Sequence, residues 1–369
     1  MTQLMKAAVV RAFGQPLSIE EIPVPEPGPG DALVKIVTSG VCHTDLHAAQ
    51  GDWPVKPRLP FVPGHEGVGF VAAVGAGVRT VKEGDAVGIA WLHDACGHCE
   101  HCVGGWETLC ESQHNTGYSV NGSFAEYAIG RADFLARLPA HGDFAQLAPV
   151  LCAGVTTYKG IKETEARPGE WLAISGVGGL GHLAIQYARL MGLRVIALDV
   201  SKAKLRLARM VGADLTVDAS NPDAIADVIR TTGGGAHGVL ITAPSTPAFA
   251  QGIAVARRRG TIALVGLPPG DFPTPIVDVV LKRLTIRGSI VGTRNDLAEA
   301  LAFATERRVI AQVHEEPLAR INQVFDALRD GTVEGRCVLR IATAHEERAA
   351  RVQRATTPIA RTAREVRAS

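Results

Sequence analysis

The chain has no surplus of charge, no long apolar run and no leader-like start, and each lack closes off a class of function. Lys and Arg number 38 against 37 Asp and Glu, a net charge of +1. Electrostatics therefore gives no reason to expect a nucleic acid or an anionic membrane as partner. No apolar stretch reaches the roughly 18 residues of a membrane span. The segment Met1-Thr2-Gln3-Leu4-Met5-Lys6 lacks the apolar core of a secretory signal. A cytoplasmic location is expected, where thiols stay reduced and clustered cysteines bind metal more often than they pair. No internal repeat is visible.

What is present divides the chain. At 369 residues it is too long for one simple core, and two domains are expected. Forty glycines predict many tight turns and some close approaches of backbone to ligand. Residues 1 to about 150 read as β-rich, with short apolar runs such as Ala32 to Val37 and Gly67 to Val71 between Pro/Gly turns. From about 151 to 292 strands alternate with helices. Strands are expected at Trp171 to Ser175, Arg194 to Leu198, Gly238 to Ala243, Thr261 to Val265 and Leu284 to Gly288, with a helix from Gly179 to Met191. That alternation predicts a parallel sheet covered by helices on both faces. Residues 293 to about 343, with a helix over Leu297 to Glu306, are expected to return to the first domain. The stretch 344–369 carries six arginines, three glutamates and no aromatic residue, which reads as a solvated tail.

Six of the seven cysteines invite a metal reading. Cys96, Cys99, Cys102 and Cys110 form C-x2-C-x2-C-x7-C, four soft ligands within fifteen residues. Such a set suits a closed structural zinc tetrahedron. Three histidines close by, His98, His101 and His114, are rival ligands, although four thiolates already complete the shell. Cys42 and Cys152 stand alone with Gly64-His65-Glu66 between them. Two cysteines and a histidine suit a catalytic zinc, which keeps one position open. Spacing does not prove this second set, because 23 residues separate Cys42 from His65 and 87 separate His65 from Cys152.

Gly176-Val177-Gly178-Gly179-Leu180-Gly181 is G-x-G-x-x-G between an expected strand and an expected helix, and Asp199 ends the next strand. These are the contexts that turn a weak motif into a dinucleotide site. The first glycine permits the turn, the second lets backbone meet pyrophosphate, and the third lets helix pack on strand. The positive helix end faces the phosphates. Asp199 would accept from the adenosine-ribose hydroxyls and repel a 2′-phosphate, so NAD is expected over NADP.

Cys42-His43-Thr44-Asp45-Leu46-His47 sets a soft ligand beside a hydroxyl, a carboxylate and an imidazole. A zinc–alkoxide mechanism would use them in order. The metal lowers the pKa of a bound alcohol, Thr44 takes the proton, His47 passes it to solvent, and hydride leaves for the nicotinamide.

These segments together resemble the zinc-dependent medium-chain alcohol dehydrogenases (medium-chain dehydrogenase/reductase class), close to the ethanol-active tetrameric enzymes of bacteria and yeast. The matching stretches are Gly40 to His47, Pro63 to Gly69, Trp91 to Cys102, Gly117 to Gly122, Cys152 to Tyr158, the glycine loop and Ser289 to Arg294. Similarity runs from about residue 4 to 341. The resemblance implies a Rossmann doubly wound parallel sheet plus a β-rich GroES-like catalytic domain, with a structural zinc lobe at about 91–112. It implies an NAD-dependent oxidoreductase converting short-chain primary alcohols to aldehydes, reversibly, with two Zn2+ per chain in a homotetramer.

It also implies residue roles. Cys42, His65 and Cys152 match the catalytic zinc ligands, Glu66 the carboxylate able to approach the metal, and Asp45 the partner orienting the histidine ligand. Thr44 and His47 match the proton relay. His43 stands at a pyrophosphate-contacting position where some relatives carry arginine, so it should hold the cofactor more loosely. Asp199 and Lys204 match ribose contacts, Thr156 lies near the nicotinamide, and Val265, Gly266, Leu267 and Arg336 match later cofactor contacts. Trp53 and Trp91 match the walls of a narrow alcohol pocket. In the family, strands near Ser289 to Gly292 extend the sheet across a dimer interface. Cys337 has no metal role and reads as a buried thiol.

Two other readings compete. A sister enzyme, a polyol dehydrogenase or zinc-free quinone reductase, is disfavoured by Cys152. A sensor or structural protein that lost the reaction is disfavoured by intact Thr44, His47 and all three catalytic ligands.

Overall fold

The computed structural model describes residues 3–268 and 270–341, so the arginine-rich tail lies outside the described residues. Two sheets dominate. Six parallel strands run in the order Leu215–Asp218, Arg194–Asp199, Trp171–Ser175, Ala236–Ile241, Ala256–Leu264 and Thr285–Gly288. In chain order within this unit that is 3-2-1-4-5-6, the doubly wound order. Its reversal between Trp171–Ser175 and Ala236–Ile241 opens a crevice at the strand ends. Every residue of Trp171–Ser175 is buried, as a strand covered on both faces requires.

The second sheet is mainly antiparallel. Its order is Val313–Pro317, Arg336–Arg340, Asp31–Val41, Gly67–Val74, Ala86–Ile89 and Ala136–Arg137, and Tyr127–Arg131 also pairs with Asp31–Val41. The register Cys337↔Val41 and Val338↔Gly40 crosses nearly 300 residues of sequence. One step beyond that pairing, Arg336 comes level with Cys42. The chain thus leaves the antiparallel sheet, builds the parallel one, and supplies the first sheet with two late strands.

Several boundaries differ from the sequence expectation. The helix expected from Gly179 runs over Gly181–Leu190, because residues 178–180 are held in a bend that faces the crevice. The helix expected from Leu297 runs over Arg294–Thr305. Thr293 caps it: its Oγ1 accepts from Asp296 N–H at 3.3 Å, and the Asp296 carboxylate accepts from Thr293 N–H at 3.0 Å. That reciprocal cap has the sequence form Thr-x-x-Asp. The β-rich first part also contains a helix, His43–Gln50. Among the described residues, no helix is long and apolar enough to cross a membrane.

Candidate active site

The site is built around one buried carboxylate. Cys42 is the N-cap of the His43–Gln50 helix, and Asp45 Oδ2 accepts from Cys42 N–H at 2.9 Å. Asp45 Oδ1 accepts from Gly64 N–H at 3.1 Å and from His65 Nδ1 at 2.8 Å. A carboxylate cannot donate, so Nδ1 carries a proton and Nε2 is the nitrogen left to face a metal; Asp45 outweighs burial and holds the His65 pKa well above its ordinary value. Asp45 therefore fixes both Cys42 and His65, 23 residues apart in sequence.

Cys152 arrives from elsewhere. It is the N-cap of the Ala153–Glu163 helix, which packs against the Gly181–Leu190 and Arg294–Thr305 helices. Ligand atoms of Cys42, His65, Glu66 and Cys152 all lie within 4.8 Å of one another, and all four residues are buried. His65 Nε2 and Glu66 Oε2 are buried without a hydrogen-bond partner. Orphaned buried acceptors are costly, and here they converge with two sulfurs. Zinc fits this donor set: two thiolates, one imidazole lone pair and a nearby carboxylate.

The electrostatics agree. The hydrogen bond from Cys152 holds the Cys42 thiol well below its ordinary pKa and outweighs burial, with His65 assisting. The same bond drives Cys152 upward. Burial pushes Glu66 up to about 7, against the pull of Arg336. Arg336 is itself buried, bonds Glu66 Oε1 through its guanidinium, and leaves its Nε unpartnered. Gly40 makes room for this pair. A Cβ there would sit 1.8 Å from Glu66 Oε2.

Around this cluster stand the other residues singled out from the sequence. Thr44 and His47 lie one turn apart on the His43–Gln50 helix, both partly exposed. His47 Nδ1 meets Asp52 Oδ2 at 2.8 Å, and its ring stacks on Trp53 with centroids 5.8 Å apart. Trp53 and Trp91 meet edge to face at 6.4 Å, and Trp91 abuts the His65 ring at 5.2 Å. Tyr118 touches both indoles, at 5.5 and 5.7 Å. Neither Tyr118 nor Asp52 carries a motif of its own, although Tyr118 lies within Gly117 to Gly122 and Asp52 only five residues beyond His47. His43 is exposed at the start of the same helix, and partial burial of its ring lowers its pKa, Arg336 and His47 adding repulsion.

The glycine loop lies across the crevice. Gly176 has φ +94°, and a Cβ on Gly181 would sit 1.9 Å from Gly176 O, whereas the space beside Gly178 is open. The N–H groups of Gly178, Gly179 and Leu180 have no partner among the described residues. Three free donors at a helix start form a cradle for an anion, so a pyrophosphate fits. Asp199 Oδ2 accepts from Val177 N–H at 2.7 Å and Oδ1 from Ser201 N–H at 2.9 Å. Its carboxylate therefore anchors the loop. Lys204 lies in the first turn of the Lys202–Met210 helix, capped by Ser201. Thr156 Oγ1 is buried without a partner. Val265 is buried, while Gly266 and Leu267 line a cavity of about 660 Å³ with Thr246, Leu109, Ser289 and Ile290. That cavity lies at the end of the Ala256–Leu264 strand, and Cys42, His65 and Cys152 do not line it.

The second cluster gathers Cys96, Cys99, Cys102 and Cys110, again within 4.8 Å. All seven cysteines are free thiols. Backbone N–H groups of Cys99 and Cys102 point at the sulfurs of Cys96 and Cys99, at 3.3 and 3.5 Å. Backbone bonds from His98 and Cys99 lower Cys96 to about 6, while burial raises Cys102 to about 12. Four thiols without a disulfide are a zinc donor set. The rival histidines point elsewhere: His98 bonds Cys96 O, His101 approaches Glu100, and His114 pairs with Asp94.

Known proteins agree with this architecture. Residues 28–140 match the model of the alcohol dehydrogenase GroES-like domain, and residues 179–306 that of the zinc-binding dehydrogenases. An alcohol dehydrogenase of Rhizobium meliloti (strain 1021) is 59% identical over 335 residues, covering 91% of this chain and 98% of the relative. The chain belongs to the zinc-dependent medium-chain alcohol dehydrogenases. A Geobacillus stearothermophilus alcohol dehydrogenase is 53% identical over 337 residues, 91% of this chain and 100% of the relative. The crystal structure of the Aeropyrum pernix alcohol dehydrogenase superposes with TM-score 0.85 at 35% identity, covering 90% of this chain and 99% of that one. This dehydrogenase therefore combines a GroES-like unit with a doubly wound sheet and acts in alcohol oxidation.

Proposed function

We propose that the protein oxidises short-chain primary alcohols to aldehydes with NAD as hydride acceptor, reversibly, using two zinc ions per chain. The convergence of Cys42, His65 and Cys152 beneath the Trp53–Trp91 walls carries this reading. Zinc held by those three residues supplies Lewis acidity that makes a substrate hydroxyl easier to deprotonate. NAD supplies the acceptor for the hydride that leaves the alcohol carbon.

The chain's own residues do the rest. Asp45 keeps His65 in the Nδ1–H tautomer. Thr44 takes the hydroxyl proton and hands it to His47, whose Nδ1 is held by Asp52, leaving Nε2 to accept. Stacked at the partly exposed Trp53, His47 releases that proton to water. The Trp53 and Trp91 indoles narrow the pocket in favour of small primary alcohols. The free N–H groups after Val177 take the pyrophosphate, His43 assisting, with Asp199 and Lys204 on the ribose and Thr156 beside the nicotinamide. Val265, Gly266, Leu267 and Arg336 complete the cofactor contacts. Cys96, Cys99, Cys102 and Cys110 hold the second zinc for shape.

We also read the protein as a homotetramer. Ile276, Val277, Val280 and Leu281 are each about two-thirds or more exposed, Leu267 and Ile290 are exposed as well, and Thr285–Gly288 is the edge strand of the parallel sheet. Association would bury this apolar face.

The test is metal analysis of the purified full chain with an NADH absorbance assay over an alcohol panel. Two zincs per chain and turnover of ethanol or another short primary alcohol are expected. No turnover with any alcohol at full zinc loading overturns the reading.

A further inference from the structure

His182 is fully buried in the first turn of the Gly181–Leu190 helix, directly behind the glycine loop. Both ring nitrogens are engaged. Nδ1 lies 3.0 Å from Gly178 O, and Nε2 accepts from Gln312 N–H at 3.1 Å. A carbonyl only accepts, so the proton must sit on Nδ1. Burial first, and the Arg336 charge after it, lower His182 to about 4, which keeps the ring neutral and both bonds intact.

Each bond leads to the cofactor crevice. In a trans peptide the C=O and the following N–H point in opposite directions. A Gly178 carbonyl drawn back onto His182 therefore turns the Gly179 N–H the other way, and that N–H is one of the three free donors of the loop. On the other side, Gln312 O accepts from Arg336 N–H at 2.7 Å. Gln186, one turn further along the helix, clasps Ile310 twice, at 2.9 Å each way. Arg336 packs against the loop as well: a Cβ on Gly179 would meet its Cδ at 2.8 Å. The loop, the Ile310–Gln312 segment and Arg336 thus share one ring.

We propose that His182 is a positioning residue for the dinucleotide, holding the Gly178 carbonyl so that the loop N–H groups face the pyrophosphate, and tying that loop to the segment that carries Arg336. The proposal rests on the dinucleotide reading of the glycine loop. Asparagine can imitate the Nδ1–H donor and glutamine the Nε2 acceptor, so the two arms of the ring separate experimentally.

The experiment compares zinc-loaded wild type, His182→Asn and His182→Gln by NADH fluorescence titration, by KM for NAD and kcat with a fixed alcohol, and by melting temperature. His182→Gln, which loses the ring bond to Gly178 O and keeps only the longer backbone one at 3.3 Å, is expected to weaken NADH binding and raise KM for NAD about five-fold, the size of one lost buried hydrogen bond, with kcat changed less than about two-fold. His182→Asn is expected to restore most of that affinity. Equal NADH affinity in folded His182→Gln and wild type overturns the proposal, as does an equal loss in both variants that follows melting temperature alone. Wild type that binds no NADH overturns the dinucleotide reading instead.

Discussion

Asp45 uses two oxygens for three hydrogen bonds, and those bonds hold Cys42 and His65 in one place. Its value is positional: the carboxylate fixes which imidazole nitrogen is free. Asp45→Asn loses charge and puts an amide donor against N–H groups that already donate. Zinc affinity at the Cys42 site should fall by roughly 10- to 100-fold, read as faster zinc loss to a chelator, while the four-cysteine cluster keeps its metal. Loss of both zincs at the same rate would contradict this separation. Of the candidate site residues, Cys42, Thr44 and His47 were legible because they crowd into six positions. Asp52, Tyr118 and Gly40 were not, because a partner for His47, a third aromatic wall and a space for Glu66 have no motif.

The Gly181–Leu190 helix shows how one element ties others together, and its buried histidine gives it a pH signature. The native pKa of His182, about 4, lies below the value near 6.5 of an unfolded chain. Above about pH 6.5 neither state binds the proton, and the native contacts contribute fully. As pH falls toward 4 the unfolded chain takes up a proton that the native ring refuses, and stability declines by about 3 kcal/mol. The prediction is a urea-unfolding difference between wild type and His182→Asn that narrows from pH 7.5 to pH 5. A constant difference would show that the ring titrates normally. The neutral tautomer was not legible from sequence: His182 sits in a helix of apolar residues, and its partner Gln312 is 130 residues away.

At the scale of the whole molecule, the four-cysteine lobe is fastened to the elements that carry Cys152. Buried Glu107 accepts from Arg294 N–H at 3.0 Å and from Nε at 3.1 Å, and Lys159 lies 4.0 Å from the Trp106 ring centroid. Lys159 belongs to the helix that Cys152 caps. A defect in the lobe therefore reaches the reacting centre only through packing. On the proposed two-zinc loading, Cys99→Ser should lower zinc content from two to one and the melting temperature by about 5 °C or more, with a smaller effect on turnover per folded chain at 25 °C. Normal melting with turnover abolished would reverse the roles of the two clusters.

By itself the sequence determined whatever is local or periodic. The four-cysteine run, the strand–glycine loop–helix–Asp199 order and the alternation that makes a parallel sheet all depend on neighbours within about 30 residues, where backbone geometry fixes spacing. Tertiary structure decided what depends on register and burial. The pairing Cys337↔Val41 brings Arg336 to Glu66 across 270 residues, and the fold alone brings Cys152 to Cys42 and leaves His65 Nε2 without a partner. Residue spacing carries no information about such meetings, because their free energy comes from desolvation and from charges that only the packed chain brings together.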